Sequence, residues 1–270
     1  MTTPTAGSTL TGPSVPFSWT SESGATKYYL SVGSTGVGST NVYNSGWRNV
    51  TSWAATGLPT NGETLYVRLS TDFSGVAAYN DYVYIATTQA AIASPTTGSI
   101  LTGPSVTFNW SAATGATLYY ISVGSTGVGS TNIYNSGWRD VTSWTVTGLP
   151  TNGEALYVLL TTDYNGLVAK SYTTYTAATA AVLTSPTPGT TLSGSRVTFD
   201  WSAGTGDPTE YYLSIGSTGV GSSNIYNSGW RNETSQAVTG LPTNGEPLYV
   251  RLSTNLGGVA VHNDYTYTAH

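Results

Sequence analysis

Apolar and polar residues alternate along this chain in short runs. Val106-Thr-Phe-Asn-Trp110 sets Val, Phe and Trp on one side and Thr and Asn on the other, the period-two pattern of a half-buried strand. Tyr119-Tyr-Ile-Ser-Val123 alternates next, with Tyr119, Ile121 and Val123 on one face. Further strands are predicted at Asn132–Asn135 after a Gly/Ser-rich turn, at Val141–Thr147, at Ala155–Thr161 and near Tyr172–Thr176. Between them Gly-Leu-Pro-Thr-Asn-Gly forms a turn cluster, whose Asn-Gly adopts positive φ at little steric cost. No segment of useful length has the 3.6-residue period of a helix. Six or seven short strands at this spacing predict an antiparallel β-sandwich.

The same pattern is written three times. GSTGVGSTNVYNSGW at Gly33–Trp47 returns at Gly124–Trp138 and Gly216–Trp230 with only Thr/Ser and Val/Ile exchanges. Trp19, Trp110 and Trp201 are spaced 91 and 91 apart, and Trp47, Trp138 and Trp230 are spaced 91 and 92. One residue is therefore added in the third copy, within Gly206–Glu210. A period this long exceeds the roughly 20–50 residues of solenoid and propeller repeats and matches a whole small domain. The prediction is an all-β chain of three tandem sandwiches in an elongated array, divided near residues 1–92, 93–183 and 184–270.

Comparing the copies assigns the faces. Leu65, Val67 and Leu69 are matched by Leu156, Val158 and Leu160 and by Leu248, Val250 and Leu252. With Trp19 and Leu30, these are predicted core. The opposite face holds Tyr66, Arg68 and Ser70. Arg68 becomes Leu159 in the second copy, and Asp81 becomes Tyr172 and then Asp264. A position that accepts either Arg or Leu is predicted exposed or half-covered. Trp110 in an early strand, the Tyr-x-Ile-x-Val strand after it, and Thr-Ser-Trp-Thr-Val-Thr-Gly-Leu-Pro at 142–150 before a strand starting near Tyr157 resemble fibronectin type III repeats, or the Ig-like repeats of bacterial extracellular proteins. That resemblance implies interaction or spacer roles rather than catalysis.

Ala86–Ser94 and Ala177–Ser185 connect the copies, each followed by a proline (Pro95, Pro186). They contain neither glycine nor charge, which predicts short, partly packed connectors and a rod with limited bending. Charged residues are 8% of the chain, against roughly 25% in ordinary globular proteins. The net charge of −5 comes with no basic patch, which argues against a nucleic-acid partner. No cysteine is present, so neither a disulfide framework nor a thiolate metal site is available. No apolar run is long enough for membrane insertion. Met1-Thr-Thr-Pro lacks the basic and apolar segments of a signal peptide, so an export signal would have to lie outside this stretch. The composition fits an exported bacterial surface protein, with a glycan or another surface protein as the partner class.

Candidate chemistry is aromatic. Trp19, Trp110 and Trp201 alternate with Phe17, Phe108 and Phe199 and read as core. Trp47, Trp138 and Trp230 follow an Asn-Ser-Gly turn and precede Arg48, Arg139 and Arg231. Such a Trp could stack on a sugar or partner, or cover the sandwich edge with its own Arg upon it. Trp53 and Trp144 become Gln236 in the third copy and so are not deep core. Tyr29, Tyr120 and Tyr212 and Tyr66, Tyr157 and Tyr249 are predicted to face outward on adjacent strands, with Tyr43, Tyr134 and Tyr226 as further candidates. They form either a carbohydrate platform or stabilising cross-strand pairs. The GSTGVGSTN loop lacks a lysine and a following helix, so it fails as a phosphate loop and reads as a long hairpin turn. The sparse carboxylates support no calcium site. No repeated Ser/His/Asp set or Glu pair offers catalysis, and no cofactor is implied. Asn-x-Ser/Thr triplets at Asn49, Asn109 and Asn232 are chance-level matches in so Ser/Thr-rich a chain.

Overall fold

The computed structural model describes all 270 residues. The first repeat contains β1 (Ser14–Ser18), β2 (Lys27–Gly33), β3 (Tyr43–Asn44), β4 (Ser52–Thr56), β5 (Thr64–Phe73) and β6 (Val76–Ile85). The second adds a leading strand: β7 (Ile92–Ser94), β8 (Ser105–Trp110), β9 (Leu118–Gly124), β10 (Tyr134–Asn135), β11 (Ser143–Thr147), β12 (Ala155–Tyr164) and β13 (Leu167–Thr176). The third repeats that set: β14 (Leu183–Ser185), β15 (Arg196–Trp201), β16 (Pro208–Gly216), β17 (Tyr226–Asn227), β18 (Ser235–Thr239), β19 (Pro247–Leu256) and β20 (Val259–Thr268). Every strand pairing is antiparallel, and there is no helix.

Each repeat is two sheets. In the second, one has the order β11-β8-β7 and the other β10-β9-β12-β13; the third is built alike, and the first lacks only a full leading strand. There the Met1 end takes that place, with the Thr2 amide donating to the Ser18 carbonyl at 2.7 Å. Alternation dictates the layers. In β8, Val106, Phe108 and Trp110 are buried while Thr107 and Asn109 are exposed. Leu65, Val67, Leu69, Trp19 and Leu30 are all buried, which fits the face assignment. The repeats hold three separate clusters of 14, 17 and 16 buried residues, so each owns a core.

One turn device recurs in all three repeats. Gly57, Gly148 and Gly240 adopt φ of 70°, 74° and 79°, which lets the following Leu58, Leu149 and Leu241 plug the core at 3–4% exposure. The added residue of the third repeat lies where the register between β16 and β19 shifts, between Pro208 and Glu210. A bulge thus absorbs it without moving the core face.

Ile92 pairs with Trp110 and Leu183 with Trp201. Divisions at 92 and 183 therefore each fall at the first residue of the next repeat's leading strand. Ala86 belongs to the first core and Ala90 to the second, and Ala177 and Ala181 to the second and third. The connectors are correspondingly packed. The Thr87 hydroxyl donates to the Thr114 carbonyl at 2.9 Å, and the Ala90 amide donates to the Thr162 hydroxyl at 3.1 Å. Glycine permits the close approach: a Cβ on Gly115 would collide with the Thr11 carbonyl, and one on Gly206 would lie 2.6 Å from the Leu101 carbonyl oxygen. Tyr164 packs on Gly12 and Leu256 on Gly103. Both junctions thus use the same parts, and no backbone hydrogen bond joins the first repeat to the third.

Candidate functional site

The recurring GSTGVGSTN string is a self-bracing loop. The Ser34 amide donates to Asn41 Oδ1 at 3.1 Å, and the Asn41 amide returns a bond to the Ser34 hydroxyl at 3.1 Å. The Ser39 hydroxyl donates to the Gly36 carbonyl at 2.6 Å, and Gly33 lies directly against Ser39. The other two repeats form the same bonds. These bonds give the near-identity of the string a structural reason.

The Asn-Ser-Gly-Trp-Arg segment is fixed just as firmly. Ser45 is buried; its hydroxyl accepts from the Leu30 amide at 2.9 Å and donates to the Gly46 carbonyl at 2.7 Å. Arg48 exchanges backbone hydrogen bonds with Tyr28 at 2.7 and 2.8 Å, and its Nε donates to the Ser45 carbonyl at 2.9 Å. This frame holds Trp47 at the rim. Trp47, Trp138 and Trp230 are 46%, 45% and 45% exposed. Each leans on the outward tyrosine beside it: Tyr29, Tyr120 and Tyr212 lie 5.5, 5.6 and 5.7 Å away between ring centroids, tilted by 50°, 49° and 51°. The rings make a bent corner rather than a coplanar platform.

The arginine beside each rim Trp turns elsewhere. Arg48 stacks on Trp53 at 4.4 Å and Arg139 on Trp144 at 4.9 Å. Those inner tryptophans are half-buried, and their indole N–H groups donate to Tyr43 and Tyr134 at 2.5 and 2.7 Å. Arg231 has no such ring, because Gln236 stands there and donates to the Ala237 carbonyl.

Register separates the two sets of tyrosines. Across the outward face, Tyr29 lies opposite Ser70 and then Tyr79; Ser31 lies opposite Arg68 and Asp81; Gly33 lies opposite Tyr66 and Val83. Tyr66, half-buried like Tyr157 and Tyr249, is thus two rows from Tyr29. The structure brings Trp47 to Tyr29 and keeps Tyr66 apart. The row between holds a bidentate pair in the first repeat, with Arg68 donating to Asp81 at 2.7 and 2.9 Å. Arg251 and Asp264 repeat it at the same distances. Hydrogen bonding from the guanidinium holds both carboxyls below the ordinary carboxylate range. Arg68 also lies 3.8 Å from the Tyr79 ring centroid.

A further tyrosine set, not singled out in the sequence, lies inside. Tyr84, Tyr175 and Tyr267 are buried, stand edge-on to Phe17, Phe108 and Phe199, and donate to the Pro4, Pro95 and Pro186 carbonyls at 3.0, 3.0 and 2.8 Å. Burial pushes the Tyr84 and Tyr267 phenols up to about 12. Their recurrence with the strand period was the available signal. No group of three or more His, Asp or Glu side chains comes together to hold a metal, and no helix is long and apolar enough to cross a membrane.

No protein-family model matches the chain, and no curated protein matches it. Among solved structures, it is similar to the chicken CNTN1 FN1–FN3 domains, at 12% identity and TM-score 0.24, with 96% of this chain and 95% of that one covered. It is likewise similar to the three N-terminal domains of the bacteriophage RB49 Highly Immunogenic Outer Capsid protein, at 10% identity and TM-score 0.33, covering 97% and 95%. The fibronectin(III)-like modules of Clostridium thermocellum CbhA align at 12% identity and TM-score 0.27, covering 67% of this chain and 94% of that one.

Proposed function

We propose that the chain is a non-enzymatic extracellular array, acting as a stalk, adhesion or surface-assembly module. The observation that carries this reading is the repeated junction. Tyr164 on Gly12 and Leu256 on Gly103 seat each hairpin tip against the preceding repeat, while Ala90 and Ala181 lock the connectors into the following core. A connector packed this way transmits orientation and fixes reach, as a spacer requires. The sparse charge and Ser/Thr/Gly-rich surface support an extracellular setting. Small-angle scattering on the intact chain should give a maximum dimension near the summed lengths of three sandwiches. A compact, near-spherical profile would refute the stalk reading.

A second reading is favoured by the 45–46% exposure of Trp47, Trp138 and Trp230. Each Trp–Tyr corner, at Tyr29, Tyr120 and Tyr212, offers one weak carbohydrate contact per repeat, summed by avidity. The bent ring geometry and the remoteness of Tyr66, Tyr157 and Tyr249 place it second. Glycan titration into the chain with all three rim tryptophans changed to Ala tests it: binding that survives removes the corner as the site.

A further inference from the structure

Exchanges peculiar to one repeat are informative, and several of those in the middle repeat meet at one place. Arg68 and Arg251 are replaced by Leu159, and Asp81 and Asp264 by Tyr172, facing it across the strands. Tyr82 and Tyr265 are replaced by Thr173. Two residues after the leading proline, Ala6 and Pro188 are replaced by Thr97.

These exchanges open space. In the outer repeats the guanidinium sits under the self-bracing loop: a Cβ on Gly38 would lie 3.0 Å from Arg68 Nη1, and one on Gly221 would lie 3.1 Å from Arg251 Nη1. At Gly129 the nearest atom is Tyr172 Cε1, at 3.8 Å. Tyr82 and Tyr265 also close the edge of the outer sandwiches, their hydroxyls accepting from the Met1 nitrogen and from the Leu183 amide. Thr173 is too short to do so. The result is a crevice of about 260 Å³ lined chiefly by Thr97, Val128, Tyr157, Tyr172, Thr173 and Thr174. The outer repeats have no counterpart.

The lining specifies its occupant. No charged side chain faces the crevice, so an ionic ligand has no counter-charge. Two tyrosines and a valine offer apolar surface, and the hydroxyls of Thr97 and Thr174 both donate and accept. The Thr173 hydroxyl turns to the core side, beside the Tyr175 phenol. The volume lies just below the range of drug-sized sites, which limits the occupant to about one ring. A pyranose has this character: an apolar C–H face for a tyrosine and hydroxyls at its edge. We infer that the middle-repeat crevice binds one uncharged sugar unit of a glycan, once per chain. This site is separate from the Trp138–Tyr120 corner and does not require the stalk reading, since a rod with an empty crevice and a compact chain with a filled one are both distinct outcomes.

The test is amide-resolved NMR on the intact chain. Glucose, galactose, mannose and N-acetylglucosamine are each titrated to tens of millimolar, with N-acetyl-tyrosine amide and N-acetyl-proline amide run in parallel. At least one sugar should shift the amides of Val128, Tyr157 and Tyr172–Thr174, while Val37, Tyr66, Val220 and Tyr249 stay in place. The double variant Leu159→Arg with Tyr172→Asp installs the pair that the outer repeats already fold with, and should lose those shifts; Thr173→Tyr should lose them independently. The inference is overturned by silence with all four sugars, by equal shifts in the outer repeats, by shifts that survive both variants, or by a response to the peptide probes alone.

Discussion

Arg68 and Asp81 in the first repeat, and Arg251 and Asp264 in the third, close the outward sheet face that Leu159 and Tyr172 leave open in the second. Directly behind that face the three repeats agree. Leu65, Leu156 and Leu248 are all fully buried, as are Phe17, Phe108 and Phe199. Magnitudes explain the contrast. Truncating a buried Phe costs about 3–5 kcal/mol, whereas a half-exposed ion pair contributes about 0–1 kcal/mol. A domain stable by about 5–15 kcal/mol can exchange the pair freely but not the ring. The outward face is therefore where one repeat can acquire chemistry its neighbours lack.

The largest effect comes from the shared part. Phe108→Ala should destabilise the middle repeat by about 3–5 kcal/mol, lowering its transition by well over ten degrees for a domain of this size. In calorimetry of the intact chain, only one of three transitions should move. Equal movement of all three would mean that the packed connectors fuse the repeats into one cooperative unit, and the comparison of separate domains would fail.

Alkaline pH probes the same core from its polar side. The phenols of Tyr84 and Tyr267 stand at about 12 in the folded protein, against about 10 when unfolded. Below pH 10 both states are protonated and the contribution is intact. Between about 10 and 12 only the unfolded chain releases the proton, so stability falls by about 1.4 kcal/mol per pH unit per tyrosine. Tyr84→Phe should remove that slope from the first repeat alone, at the expense of the bond to the Pro4 carbonyl. Thermal unfolding followed from pH 9 to 12 checks it; an unchanged slope would place the titration elsewhere.

The architecture was legible because it is carried by period. Alternation marked the strands, turn glycines marked their ends, and a 91-residue recurrence marked the repeats. Even the inner Trp was readable, since exchange of Trp53 for Gln236 signals a position short of the core. The candidate site was read less completely, for geometric reasons. Tyr29 and Tyr66 both alternate outward, but their two-row separation depends on register, which alternation does not encode. Arg48 adjoins Trp47 in sequence yet stacks on Trp53, because its backbone is bridged to Tyr28 and turns the side chain inward. Tyr84 carries a weak sequence signal because it lies on an edge strand whose other residues are mostly exposed. The exchanges at Arg68 and Asp81 were visible in the sequence, but only pairing across β5 and β6 shows that they form one change.

Transplanting that change measures it. Arg68→Leu with Asp81→Tyr converts the first repeat to the middle pattern and should alter its stability by less than about 1 kcal/mol, the range of an exposed pair with a modest contribution from the Tyr79 stack. Chemical denaturation of the two chains would show it. A loss of several kcal/mol would make the pair structural and contradict the freedom argued for this face.

The smallest effect separates the repeats by pH without any mutation. Hydrogen bonding from Arg68 and Arg251 lowers the folded pKa of Asp81 and Asp264 below the unfolded value. Their contribution is therefore complete above the ordinary carboxylate range, near 4, and is lost as pH falls through the lower folded value. Tyr172 occupies the matching position in the middle repeat and carries no charge to lose. On acidification from pH 5 to 2, the first and third transitions should drift down relative to the second, by an amount limited to about 1 kcal/mol each. Added salt at pH 5 should shrink the same difference, because an exposed pair is screened, while leaving the alkaline slope of the buried tyrosines in place. If the middle transition instead moves with the other two in both acid and salt, other carboxylates govern the acid limb and the ion pair is not what distinguishes the repeats.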